Sequence, residues 1–216
     1  MQRRGSTVVA FDRAWLSGKL SGTWAKPVVF LLALLPLAWL VWGIAVNRLG
    51  ANPAETLIRS LGDWTLRMLC VVLAVTPVRT MLGLAVLARF RRMLGLFVYF
   101  YAALHLLAYG WFDMGWELGD IVKDISKRPF ILVGFAAFVL LTLLAATSFN
   151  RAVRALGGKR WQALHRWVYA VALLAVLHFF WMRAAKNNFA EVGVYAVILG
   201  SLLGWRVVEK IRRKSR

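Results

Sequence analysis

His105, His165 and His178 are the only histidines in the 216-residue chain, and each falls within an apolar run. Ionisable side chains at membrane depth are costly, so their presence there points to function by default. The bland alternative is an imidazole that hydrogen-bonds across helices, but three of three on two predicted helices weighs against it. Neither of those two predicted helices carries a carboxylate, which disfavours both a zinc hydrolase site and a carboxylate proton relay. Imidazoles on neighbouring helices could instead bracket one haem iron, one on each face. His165 and His178 are 13 residues apart, about 20 Å along a helix at 1.5 Å per residue, which allows two ligand levels. Their phase is less favourable: about 140° apart around an ideal helix.

The elements that must position them are membrane spans. Hydrophobic residues make up 61% of the chain and charged residues 17%, with a mean hydropathy of +0.65, against about 45–50% and 25% in soluble domains. Apolar runs long enough to cross a bilayer predict six helices at 28–46, 63–78, 93–112, 130–149, 161–182 and 190–208. The fold class expected is therefore an all-α integral membrane protein, a six-helix bundle over 28–208. A cytoplasmic segment, 1–27, precedes it and a basic tail, 209–216, follows. The first span is expected to be retained as a helix, because its basic lead is long for a signal peptide and its cleavage site poor. The stretch 80–88 is too short to cross and reads as an interfacial helix.

Net charge is +19, from 28 Lys plus Arg against 9 Asp plus Glu. In a soluble domain this would suggest nucleic acid; here its distribution gives topology instead. The N-terminal segment and the second-to-third and fourth-to-fifth connections each carry +4, and the tail +5. Arg3, Arg4, Asp12 and Arg216 contribute to these values. With an even number of spans all four segments share one side, and the three connections opposite, Lys186 included, sum to zero. The positive-inside rule places both termini in the cytoplasm. Trp111, Trp116 and Trp181 then fall at the outer boundary and Trp161 and Trp205 at the inner one, as interfacial anchors.

This topology puts His105 and His178 at comparable depth in the outer halves of the third and fifth spans, placed to bracket one haem iron. His165 lies near the cytoplasmic end, at the level of Arg91, Arg92 and Arg166. Protonated arginine is a poor iron ligand but a good partner for haem propionates; the alternative is that these arginines simply report the positive-inside rule. Gly83, Gly95, Gly134, Gly200 and Gly204 read as sites of close helix packing or haem approach. The single cysteine, Cys70, excludes an intrachain disulfide and a cysteine-ligated cluster. No Gly-rich nucleotide motif occurs.

Arg91-Arg92-Met93-Leu94-Gly95-Leu96 followed by Leu104-His105 resembles the third helix of the MsrQ (YedZ) family, the haem-binding membrane subunits of periplasmic protein-methionine-sulfoxide reductase systems. Thr76-Pro77-Val78-Arg79, Lys127-Arg128-Pro129-Phe130, Trp161-Gln162-Ala163-Leu164-His165-Arg166 and His178-Phe179-Phe180-Trp181 extend the likeness. The resemblance implies a ferric reductase-like six-helix core in a bacterial inner membrane. In ferric reductases and NADPH oxidases, four histidines on the third and fifth helices hold two haems. Here three match, and the fourth position, 14 residues before His105, is Arg91; one haem b or two is thus left open. The resemblance further implies FMN, an electron source in the quinone pool or a cytoplasmic flavin reductase, and a periplasmic molybdopterin partner, MsrP. The chain would be an electron-transfer subunit, not the catalytic one. The longest outer connection, 113–129, is the candidate docking surface. Two other readings stand beside this one: a stand-alone ferric reductase-like protein, and a membrane scaffold or transporter with structural histidines.

Overall fold

The computed structural model describes residues 13–184 and 189–215. Arg3, Arg4, Asp12, Lys186 and Arg216, which enter the charge balance, lie outside the described residues. All regular structure among those described is helical: α1 (Arg13–Ser21), α2 (Ala25–Ala45), α3 (Pro53–Leu82), α4 (Arg91–Phe112), α5 (Leu118–Lys127), α6 (Pro129–Ala146), α7 (Asn150–His165), α8 (Val168–Ala184) and α9 (Ala190–Lys214), with a 3-10 turn over Ala85–Phe90. Six segments are long and apolar enough to cross a bilayer: Ala25–Ala45, Pro53–Leu82, Ala85–Phe112, Pro129–Ala146, Asn150–Ala184 and Ala190–Arg212. The molecule is a multi-pass membrane protein.

Burial follows membrane logic. Leu69, Val98, Tyr101 and Val171, from α3, α4, α4 and α8, are the large side chains most completely enclosed. Leu31, Leu35, Trp39 and Trp42 instead point outward from α2, a surface suited to hydrocarbon. The most extensive helix interfaces join α3 to α4 and α6 to α8, with α2 and α9 flanking them. Tyr101 donates its hydroxyl to the Ala33 carbonyl of α2 at 2.7 Å, which satisfies a polar group that lipid could not.

Three expectations about the elements change. The second span begins at Pro53 rather than at 63. Asn52 accepts from the Glu55 N–H at 3.1 Å and Pro53 opens the first turn, an N-terminal cap that carries the helix through polar residues hydropathy passes over. The stretch 80–88 is not one interfacial helix. Its start continues α3, Gly83 ends that helix in the left-handed region at φ 68°, and the rest forms the 3-10 turn into α4. Arg89 from this turn donates to the Leu20 carbonyl at 3.0 Å and to that of Ser21, closing the end of α1. The fifth span is composite: a break at Arg166 and Trp167 separates α7 from α8, so the ideal-helix phase between His165 and His178 does not apply. Gly157, at φ 72° and ψ 154°, kinks α7 itself.

The connection 113–129 folds mainly as α5. Tyr109 donates to Asp124 Oδ2 at 2.6 Å, and Asp124 Oδ1 pairs with Arg128 Nε at 2.8 Å. This chain of contacts ties α5 to the last turn of α4 and the first of α6. The end of the bundle that carries it is called here the α5 end, and the opposite one the α7 end.

Candidate functional site

His105 on α4 and His178 on α8 meet at the α5 end. Their ring centroids are 6.3 Å apart and the planes are inclined at 74°. His105 Nδ1 lies 2.8 Å from the Ile58 carbonyl of α3, and His178 Nδ1 lies 2.7 Å from the Phe130 carbonyl of α6. A carbonyl only accepts, so in each ring Nδ1 carries the proton and Nε2 keeps its lone pair. Metal-ligating histidines commonly donate their second nitrogen in this way, which fixes the tautomer and raises the basicity of the ligand. With a histidine nitrogen about 2 Å from a metal ion, two imidazoles on one ion hold their centroids roughly 6 Å apart.

The pair lines a cavity of about 510 Å³, within the range of pockets that enclose a whole cofactor. Leu69, Val98, Leu141 and Val171 wall its deep part, while Asn52, Tyr109, the carboxylates of Glu55, Asp63 and Asp113 and the cations Arg59 and Arg128 line it at the α5 end. The cavity thus combines an apolar body, two ring nitrogens with free lone pairs, and a polar rim. A flat metallomacrocycle fits that sequence of environments, with Arg59 and Arg128 as the rim cations that could meet acidic substituents.

His165 is elsewhere. It ends α7, stacks on Trp161 at 3.9 Å between centroids, and its Nε2 lies 3.1 Å from Thr147 Oγ1. The Thr147 hydroxyl donates to the Leu143 carbonyl at 2.8 Å, so it accepts from His165 Nε2. This is the opposite tautomer from the other two rings. Arg92 at the same end donates to Asn150 Oδ1 at 2.6 Å. None of His165, Arg91, Arg92 and Arg166 lines the cavity of the histidine pair.

A family model described as the ferric reductase like transmembrane component matches residues 61–176, a stretch that includes His105, all of α6 and α3 from Leu61 onward. The chain is 63% identical over 197 residues to the protein-methionine-sulfoxide reductase heme-binding subunit MsrQ of Polaromonas naphthalenivorans, covering 90% of each. The protein of that name from Ralstonia nicotianae is 55% identical over 83% of this chain and 82% of its own length. That from Bordetella pertussis is 52% identical over 88% and 92%. The chain belongs to the MsrQ family of ferric reductase-like membrane proteins. Within this family frame, the five motif segments that carry the resemblance acquire places. Lys127-Arg128-Pro129-Phe130 supplies both the rim cation Arg128 and the carbonyl that holds His178.

Several participants escape sequence reasoning. Ile58 and Phe130 act through backbone carbonyls, which side-chain identity does not announce. Arg59 pairs with Glu55 at 2.6 Å one turn before it and reads in the sequence as an ordinary loop charge. Of the flagged glycines, Gly134 lies against the His178 ring, whereas a Cβ on Gly95, Gly200 or Gly204 would meet open space.

Proposed function

We propose that this chain is the haem-binding, electron-transferring membrane subunit of a methionine-sulfoxide repair system, in which His105 and His178 would hold a b-type haem. The observation that carries this reading is the pair of imidazoles, 6.3 Å apart between centroids and each held at Nδ1 by a backbone carbonyl, inside one cavity. When bound, haem supplies reversible one-electron transfer. The chain's own residues do the rest. The Ile58 and Phe130 carbonyls hold the ligand tautomer, Leu69, Val98, Leu141 and Val171 exclude water, and Arg59 and Arg128 stand where acidic substituents would emerge. His165 is the imidazole left for an inner haem, with Arg91, Arg92 and Arg166 as cations for its propionates; Thr147 must then release Nε2.

The charge asymmetry supports a bacterial inner-membrane topology with both termini cytoplasmic and the α5 end periplasmic. Electrons then enter from the quinone pool or a cytoplasmic flavin reductase and leave for a periplasmic molybdopterin reductase of the MsrP type. That partner restores methionine from its sulfoxide in oxidised envelope proteins. The α5 segment supports a docking role because it lies beside the rim nearest the histidine pair. FMN, implied by the resemblance, has no residues assigned to it among those described.

The deciding experiment mixes the reduced, purified protein with purified MsrP and, separately, with ferric chelates. Fast haem reoxidation by MsrP is expected. Reoxidation by chelates alone makes it a ferric reductase-like protein, and the lack of a Soret band after expression with ample haem ends the haem reading.

A further inference from the structure

The arrangement that holds His105 occurs a second time around His178. In the first copy α3 offers the Ile58 carbonyl, and the histidine that reaches it lies 47 residues later on α4. In the second α6 offers the Phe130 carbonyl, and its histidine lies 48 residues later on α8. In both, the residue four positions after the carbonyl is glycine: Gly62 and Gly134. A Cβ built on Gly62 would lie 3.1 Å from His105 Cε1 and 3.3 Å from its Nδ1. On Gly134 it would lie 2.7 Å from His178 Nδ1 and 2.8 Å from Cε1. Each helix pair runs from the α5 end and back to it, so the two units have the same sense.

The spacing has a physical reason. In an α-helix the carbonyl of residue i already accepts from the N–H of residue i+4, and a second lone pair remains. The side chain of residue i+4 leans back over the preceding turn and would cover that lone pair. Glycine leaves it open, and an imidazole from the neighbouring helix fills the space.

We propose that Gly62 and Gly134 are positioning residues of a duplicated imidazole clamp. Each uncovers the carbonyl one turn before it, so that the hydrogen bond to Nδ1 holds the ring and turns Nε2 towards the opposite imidazole. The clamp rests on the haem reading only for one of its two readouts. The contacts also rank the copies: the Gly62 contact is relieved by a few tenths of an ångström, and the Gly134 contact is not.

The test uses the full-length protein in detergent as wild type, Gly62→Ala, Gly134→Ala and, as a control in open space, Gly200→Ala. Haem content, the low-spin electron paramagnetic resonance signal and the midpoint potential give the first readout. Gly134→Ala is expected to lose the bis-imidazole signal, Gly62→Ala to keep haem with a shifted potential, and Gly200→Ala to match wild type. Nitrogen-15 spectra of the histidine-labelled apoprotein give the second. Wild type should show Nδ1–H tautomers at His105 and His178, with His178 altered in Gly134→Ala and His105 in Gly62→Ala. Should Gly134→Ala not fold, Gly62→Ala decides. Wild-type spectra and potential in both alanine variants would overturn the clamp. A wild type that binds no haem sinks the haem reading, and the nitrogen-15 result then decides the clamp by itself.

Discussion

Arg206 on α9 donates from Nη2 to the Leu73 carbonyl of α3 at 2.7 Å, the carbonyl that Pro77 leaves without a helical donor. Proline has no N–H, and the bond it cannot make is to the residue four before it. The guanidinium also lies over the Tyr169 ring of α8, 5.1 Å from its centroid, so one side chain joins three helices. Pro77 of the Thr76-Pro77-Val78-Arg79 motif and Arg206 of the last helix thus have a shared structural basis.

A double-mutant cycle checks this relationship. Pro77→Ala restores an N–H for Leu73, so Arg206→Leu should cost less stability in the Pro77→Ala background than in the wild type. The expected coupling is about 1 kcal/mol, in the range of interhelical hydrogen bonds in membranes. Thermal unfolding of the four proteins in one detergent measures it, and additive effects would show that the two residues act separately.

The histidines separate by tautomer as well as by place. On the proposed haem reading, His105→Ala and His178→Ala should each remove the bis-imidazole low-spin signature, since each takes away one of the two imidazoles that would hold the iron. His165→Ala should leave that signature intact and alter only an inner-haem signal, while removing the link to Thr147 on the far side of α7. Absorption and paramagnetic resonance spectra of the three variants check this; a wild-type low-spin spectrum in both outer mutants would falsify the pairing.

Much of this was legible in the sequence because hydropathy and charge report directly on lipid and topology. They located six crossings and put His105 and His178 at one depth, and depth was enough to pair them. The start of α3 was missed because hydropathy cannot see a helix that begins in polar residues. Asn52, Pro53 and Glu55 carry a capping signal that would have found it. The break at Arg166 and Trp167 left no such mark: both residues are compatible with a continuing helix, and tertiary packing decides. The carbonyls of Ile58 and Phe130 were invisible for a deeper reason, since every residue has one and only the fold selects which is uncovered.

Tyr109 and Asp124 hold α5 over the cavity rim. A hydrogen bond to a charged acceptor contributes about 1.5–3 kcal/mol, and Tyr109→Phe removes this one without changing the apolar body of the ring. The expected outcome is faster amide exchange throughout Leu118–Lys127, with protection of the α4 core around Val98 and Tyr101 unchanged. Hydrogen exchange followed by mass spectrometry resolves the two segments. Equal protection of α5 in both proteins would mean that the Asp124–Arg128 pair holds it unaided.

Asp120 and Asp124 both belong to the segment proposed for docking, but the structure gives them different work. Asp124 has a side chain only 12% exposed and engages Tyr109 and Arg128, so reversing its charge would disturb α5 before any partner arrived. Asp120 is exposed and can be altered with less disturbance to the fold. A rim charge acts mainly on the rate of encounter, and exposed charges are screened beyond about 8 Å at physiological ionic strength. Asp120→Lys should therefore slow haem reoxidation by MsrP several-fold at low salt, on the order expected for one steering charge. The difference from wild type should shrink as salt is raised, while reoxidation by a small uncharged oxidant stays the same. Stopped-flow absorbance across a salt series measures all three, and a rate equal to wild type at low salt would move the docking surface away from α5.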